Sequence, residues 1–204
     1  MSRLKRETTP IDLAELPDYL FGSGSIGYWG GIAFMLIEGM GFVLAIGAYF
    51  YLLPYEREWP PGASPPPLFW ATTGVLVALL SEIPNILTSV CAKKQDKPGV
   101  QLWIVVTSLF GVALIVLRAF EFHAFNVRWD QNAYGSITWA LLILHHADLI
   151  TDAYDTFVLA AMVFLKPVDG RKFSDCDDNA VFWHFIVVTW VAVYVMVYWV
   201  PRWV

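Results

Sequence analysis

Residues 100–120 read Val100-Gln101-Leu102-Trp103-Ile104-Val105-Val106-Thr107-Ser108-Leu109-Phe110-Gly111-Val112-Ala113-Leu114-Ile115-Val116-Leu117-Arg118-Ala119-Phe120. The run is apolar and long enough to cross the hydrocarbon core of a bilayer, which takes about 20 residues in helical form. Four more stretches qualify. Residues 28–53 are interrupted by Glu38, and residues 68–90 contain Glu82 and Pro84. Residues 136–165 are the most polar and long enough to tilt or protrude, and residues 180–203 close the chain. Each must be helical, because in lipid only helices and closed barrels satisfy their backbone. Barrel strands are short and alternate in polarity, which these segments do not. The expected fold is all-α, an integral membrane bundle of five transmembrane helices. It divides into an N-terminal segment, 1–27, and a transmembrane domain, 28–204.

Composition agrees. Of the 204 residues 57% are hydrophobic and 15% charged, where a soluble domain carries about 25% charge. Ten tryptophans and nine tyrosines suit anchoring at the membrane–water boundary. The net charge of −5 leaves no basic surplus for a nucleic-acid partner. Cys91 and Cys176 stand in unrelated contexts, so neither a metal finger nor a disulfide framework is expected. The start is basic but runs into polar sequence, so no cleavable signal peptide is expected.

The charges between spans alternate. Arg3, Lys5, Arg6, Lys93, Lys94, Lys97, Lys166, Arg171 and Lys172 would lie on one side, and Arg57, Arg128 and Arg202 on the other. The positive-inside rule then places the N-terminus in the cytoplasm and the C-terminus outside. Residues 9–16 read as a short capped helix on the cytoplasmic face. Residues 54–67 hold six of the twelve prolines and should be extended rather than helical. No internal repeat is evident, and an odd span count does not fit the inverted halves of many transporters.

Ionisable groups inside a membrane are costly and face the protein interior. His145, Asp148, Asp152 and Asp155 recur at i, i+3, i+7, i+10 and share one helical face. A metal site there is set aside in favour of a polar stripe against a neighbouring helix or the cytoplasmic interface. One helix supplies too few ligands, and no second helix offers a Glu-x-x-His pair. Two readings of Glu38 stay open: a proton-linked or lipid-facing site, or a hydrogen bond to a neighbouring helix. Glu82 reads as a structural group near the Pro84 kink. His184 reads as a hydrogen-bonded interface residue rather than a ligand. The glycines of 27–47 permit close helix approach. No haem-attachment, phosphate-loop or nucleotide motif is present.

Four segments nevertheless carry a resemblance: residues 28–38, from Tyr28-Trp29-Gly30-Gly31 to Glu38; Arg118-Ala119-Phe120-Glu121-Phe122; Tyr134-Gly135-Ser136 with the following span of His145; and Phe182-Trp183-His184-Phe185 with Trp190 and Tyr198-Trp199. Together they resemble cytochrome c oxidase subunit III over about residues 28–203. The resemblance implies an all-α bundle beside the catalytic subunit I and subunit II of a haem-copper terminal oxidase, in a bacterial-type inner membrane. It implies no catalytic, cofactor-binding or metal residue on this chain; haem and copper belong to the partner subunits. It also implies bound phospholipid in a cleft between helices, and support for proton uptake and for the durability of turnover. Carried over, Glu38 is the buried membrane glutamate, Trp29 stands in the same helix, and Trp183 and His184 match cleft or interface positions. Glu121 and His145 match recurrent polar positions.

The chain departs from the family pattern in three places. Five spans stand where seven are usual, so the first two helices are missing and another chain could supply that half of the cleft. Asp148 replaces the second histidine of span 4. Val187 replaces the aspartate after the His-Phe pair. The short form also resembles the subunit-III-like partners of nitric oxide reductases. Two further functions compete: a proton-coupled transporter using Glu38, Glu82 and the span 4 acids, and a metalloenzyme on His145, His146 and Asp148. The electron donor, haem type, lipid identity and membership of a larger respiratory supercomplex stay open.

Overall fold

The computed structural model describes residues 20–204. Arg3, Lys5, Arg6 and the helix expected over 9–16 lie outside the described residues. Five long helices, α1 Ile26–Leu52, α2 Phe69–Lys93, α3 Lys97–Ala124, α4 Ala133–Leu165 and α5 Gly170–Tyr194, make up most of the described chain. There is no strand among the described residues. α2 packs on α3 and α5, and α4 packs on the same two, which closes a four-helix ring; α1 lies outside it, across α4 and α5. α1, α2, α3 and the α5 region are each long and apolar enough to cross a membrane. The fifth long helix, α4, carries His145, His146, Asp148, Asp152 and Asp155 along its middle.

Local chemistry sets the helix ends. Ser25 Oγ accepts from Gly27 N at 3.1 Å and starts α1. Asn132 Oδ1 accepts from Gly135 N at 2.7 Å and starts α4. Asp169 Oδ1 accepts from Lys172 N at 3.1 Å and starts α5. Each side-chain oxygen satisfies an amide that has no partner within its helix. These caps start α4 and α5 before the expected 136 and 180, because polar first turns extend the helices beyond their apolar stretches. Between α2 and α3, Asp96 N bonds Cys91 O and Gln95 N bonds Ala92 O, both at 2.9 Å. That is a Schellman closure, with Gln95 at φ 55° in the left-handed position usually given to glycine.

At the C-terminal end α5 widens into a π-turn over Val195–Trp199 and then a last turn, α6, Val200–Trp203. Pro201 explains the wider turn, since it has no N–H to give to the carbonyl four residues back. Residues 56–67 are non-helical, as their prolines require. This loop is tied to the same end of the bundle by Asn126 Nδ2 to Ser64 O at 2.7 Å and Arg202 Nη2 to Pro66 O at 2.6 Å.

Polarity is reversed relative to a soluble protein. Leu36 and Ile37 on α1, Leu80 and Ile83 on α2, and Leu102 and Leu109 on α3 are all more than half exposed. Ser81, Asn85, Thr107, Ser108, Arg118, Glu121, His145, Asp148 and Asp152 are buried. Exposed apolar area of this extent marks a membrane or subunit surface. The hydroxyls of Ser81, Thr107 and Ser108 return to carbonyls of their own helices, as Ser108 Oγ does to Ile104 O at 2.7 Å, so they need no water. Trp183, Ile186, Trp190, Tyr198, Leu141 and Leu149 centre the larger apolar core. A smaller one, around Ala92, Ile104, Val163 and Phe173, fills the end near the α2–α3 turn.

Candidate functional site

Four helical segments meet at one buried charged cluster. Arg118 and Glu121 stand three residues apart on α3, and Nη1 donates to Oε2 at 2.8 Å. Arg118 Nη2 donates to His145 Nδ1 on α4 at 2.8 Å. Arginine has no acceptor, so Nδ1 must be the accepting nitrogen. His145 is then neutral, with its proton on Nε2, which donates to Ile186 O on α5 at 3.0 Å. Tyr198 in the π-turn donates to Glu121 Oε1 at 2.5 Å. The guanidinium lies over the Trp190 ring, 3.5 Å from its centroid, a cation–π contact in a dry setting. Arg118, Glu121 and His145 are 3%, 4% and 2% exposed, so the pair is formally neutral and shielded from both water and lipid. A small cavity between Gly74, Ala78, Leu114 and Trp183 adjoins it.

The other residues singled out from sequence fall at three places. Trp183 is fully buried in the core, and its Nε1 donates to Ser81 Oγ at 2.9 Å. Its ring and Ala153 are the neighbours that a side chain at Gly111 would meet. His184, one residue on, faces outward and is half-buried, and its Nδ1 pairs with Glu82 of α2. Glu38 is half-buried on α1, where its carboxyl meets that of Asp148 on α4. Asp148 itself is buried, with Oδ2 lacking a hydrogen-bond partner among the described residues. Trp29 is exposed at the start of α1, and its Nε1 donates to Ser23 O at 2.9 Å.

Glu121 and His145 therefore belong to one cluster, Glu38 and Asp148 to a second, and Glu82 and His184 to a third. The polar stripe of α4 divides: His145, Asp148 and Asp152 are buried, while Asp155 reaches the surface. Sequence reasoning missed the part played by Arg118. The available signal was its opposite charge three residues from Glu121, the spacing of helical neighbours. Among the described residues no three His, Cys, Asp or Glu side chains are placed to hold a metal ion.

Outside the helices' apolar lengths two carboxyls are held below the usual range. The Arg128 guanidinium grips Asp130 through both oxygens, at 3.0 and 2.9 Å. The Lys172 backbone amide does the same for Asp169.

No protein-family model matches the chain. Curated relatives do. Cytochrome c oxidase subunit 3 of Thermostichus vulcanus is 20% identical over 175 residues, 84% of this chain and 86% of that one. Cytochrome bo(3) ubiquinol oxidase subunit 3 of Pseudomonas aeruginosa is 23% identical over 180 residues, 87% of this chain and 85% of that one. Probable cytochrome c oxidase subunit 3 of Mycobacterium tuberculosis is 25% identical over 152 residues, 70% of this chain and 72% of that one. The chain is a homologue, over most of its length, of the subunit 3 chains of cytochrome c and ubiquinol oxidases.

Proposed function

We propose that this chain is subunit III of a haem-copper terminal oxidase, an accessory subunit that binds lipid and supports proton uptake and turnover stability of the catalytic subunit. The observation that carries the reading is similarity to oxidase subunit 3 along most of the chain. The chemistry of the interior agrees with it. Arg118, Glu121, His145 and Tyr198 use their hydrogen bonds mainly on one another, an arrangement that holds helices together rather than one that turns over a substrate.

In this reading all five long helices span a bacterial-type inner membrane, with the N-terminus cytoplasmic and the C-terminus outside. The separation of basic residues supports that orientation: Arg57, Arg128 and Arg202 fall at one end of the bundle, and Lys93, Lys94, Lys166 and Arg171 at the other. Subunits I and II of the oxidase bind the exposed apolar faces, and those subunits carry the haem and copper. Glu38, paired with Asp148 between α1 and α4, is the proton-linked group.

Gentle-detergent affinity purification of the chain tests this, with subunit identification and a visible spectrum. Haem-copper oxidase chains at equal stoichiometry are the expected result, and the identity of the partners tells a cytochrome c oxidase from a ubiquinol oxidase. A colourless chain that purifies alone would overturn the proposal.

A further inference from the structure

A cleft of about 570 Å³ opens between the start of α1, the second half of α4 and the start of α5. Asp152, Asp155, Asp175 and Asp178 line it, and among the described residues that line it none is basic. Asp152 is 1% exposed, and its Oδ2 has no hydrogen-bond partner among the described residues. Asp178 Oδ1 is likewise without a partner. Two cations of this end are paired with other acids: Lys93 with Asp177 at 3.1 Å, and Lys172 with Asp169 at 3.5 Å. Arg171 and Lys172 act electrostatically on Asp175. The other wall is made of Gly30 and Gly31, beside which a side chain would meet nothing within 4 Å. Phe34 and Phe182, with ring centroids 5.4 Å apart, and Val158, Leu159 and Met162 supply apolar surface.

A buried carboxyl without a partner is costly, and a cationic ligand would relieve it. A bare metal ion does not fit, because no three of the described acids stand close enough to share one. Carboxyls set apart by apolar wall fit ammonium groups carried on methylene chains. The methylenes would lie on Leu159 and Met162, and a cation would face the Phe34 or Phe182 ring.

We propose that this cleft is a binding site for an alkylammonium group, with Asp152 as its innermost anchor. Two sources share that chemistry: the headgroup of phosphatidylethanolamine and a soluble polyamine such as spermidine. The site stands on the chain's own geometry and does not depend on which complex the chain joins.

The test uses the purified full chain in neutral detergent. Spermidine binding is read by titration calorimetry. Retention of phosphatidylethanolamine against phosphatidylglycerol is read by native mass spectrometry. Two variants are compared with the parent: Asp152→Asn, which removes the anchor charge, and Gly30→Leu, which fills the cleft and leaves all four carboxyls. Saturable binding weakened at least tenfold in either variant is the expected result. Spermidine binding alone identifies the soluble source. Preference for phosphatidylethanolamine that spermidine displaces identifies the headgroup. Binding of neither, equal retention of both lipids without spermidine binding, or binding unchanged in both variants would overturn the proposal.

Discussion

Arg118 is the group on which the buried cluster turns, and replacing it tests that account. In Arg118→Met the side chain keeps its length and loses its charge. Two hydrogen bonds go, one to Glu121 and one to His145, and the cation leaves the Trp190 face. Glu121 is left as a buried carboxylate held by Tyr198 alone. Breaking a buried pair from one side costs about 3–5 kcal/mol, chiefly through the charge left behind. Glu121→Met leaves the cation with His145 and Trp190 and should cost somewhat less. In the double variant no isolated charge remains, so it should be no less stable than Arg118→Met, a coupling of about 3 kcal/mol. Unfolding of the purified chain in mixed micelles with rising dodecyl sulfate, followed by tryptophan fluorescence, measures all four species. A loss under about 0.5 kcal/mol for Arg118→Met, or losses that simply add, would refute the account; surface pairs behave that way.

Four smaller tests follow. Gly135→Ala should lose about 1–3 kcal/mol in the same assay through overpacking, since its Cβ would run into the Arg128 carbonyl. Gly47→Ala, with nothing within 4 Å, should be neutral or gain up to about 1 kcal/mol. The Asp169 carboxylate caps α5 and is held below its ordinary 3.8. Its contribution is present above that value and is lost as pH falls through the depressed one. Protection of the amides at 170–173, taken relative to their intrinsic exchange, should therefore fall below about pH 3.8. Asp169→Asn, also a good cap, should remove that pH dependence and leave the helix start intact. Glu38→Gln should leave the complex assembled and loaded with haem while altering turnover or its durability. Complete loss of oxygen reduction in an assembled, haem-loaded complex would contradict this.

Apolar run length carried the helices: each expected span lies within or nearly within an observed helix, because a membrane-length segment has few other ways to satisfy its backbone. The ends were less legible. α5 begins ten residues before the expected 180, since Asp169 caps a charged turn that hydropathy reads as loop. The stripe on α4 was legible as a stripe, because period alone puts His145, Asp148 and Asp152 on one face. Its partners were not. Arg118 comes from α3, Glu38 from α1 and Ile186 from α5, and no pattern within one segment reports which helix will lie opposite. Trp183 and His184 show the limit most sharply. They are adjacent in sequence and were assigned one setting, yet helical geometry turns one into the core and the other toward Glu82.

The separation of these clusters bears on what a single substitution can reach. Arg118, Glu121, His145 and Tyr198 join α3, α4 and the end of α5 inside the ring. Glu38 and Asp148 join α1 to α4 at its edge, and Glu82 and His184 join α2 to α5 on the outer side. α1 has few buried residues, Phe42 and Tyr49 among its helical turns, so the Glu38–Asp148 contact is one of its few polar ties to the ring. A change at Glu38 should therefore act through the seating of α1 and the surface it shows to a neighbour. A change at Arg118 should act through the fold itself. That difference in readout, turnover or its durability in one case and unfolding in the other, follows from burial and helix order, and it separates the two clusters experimentally.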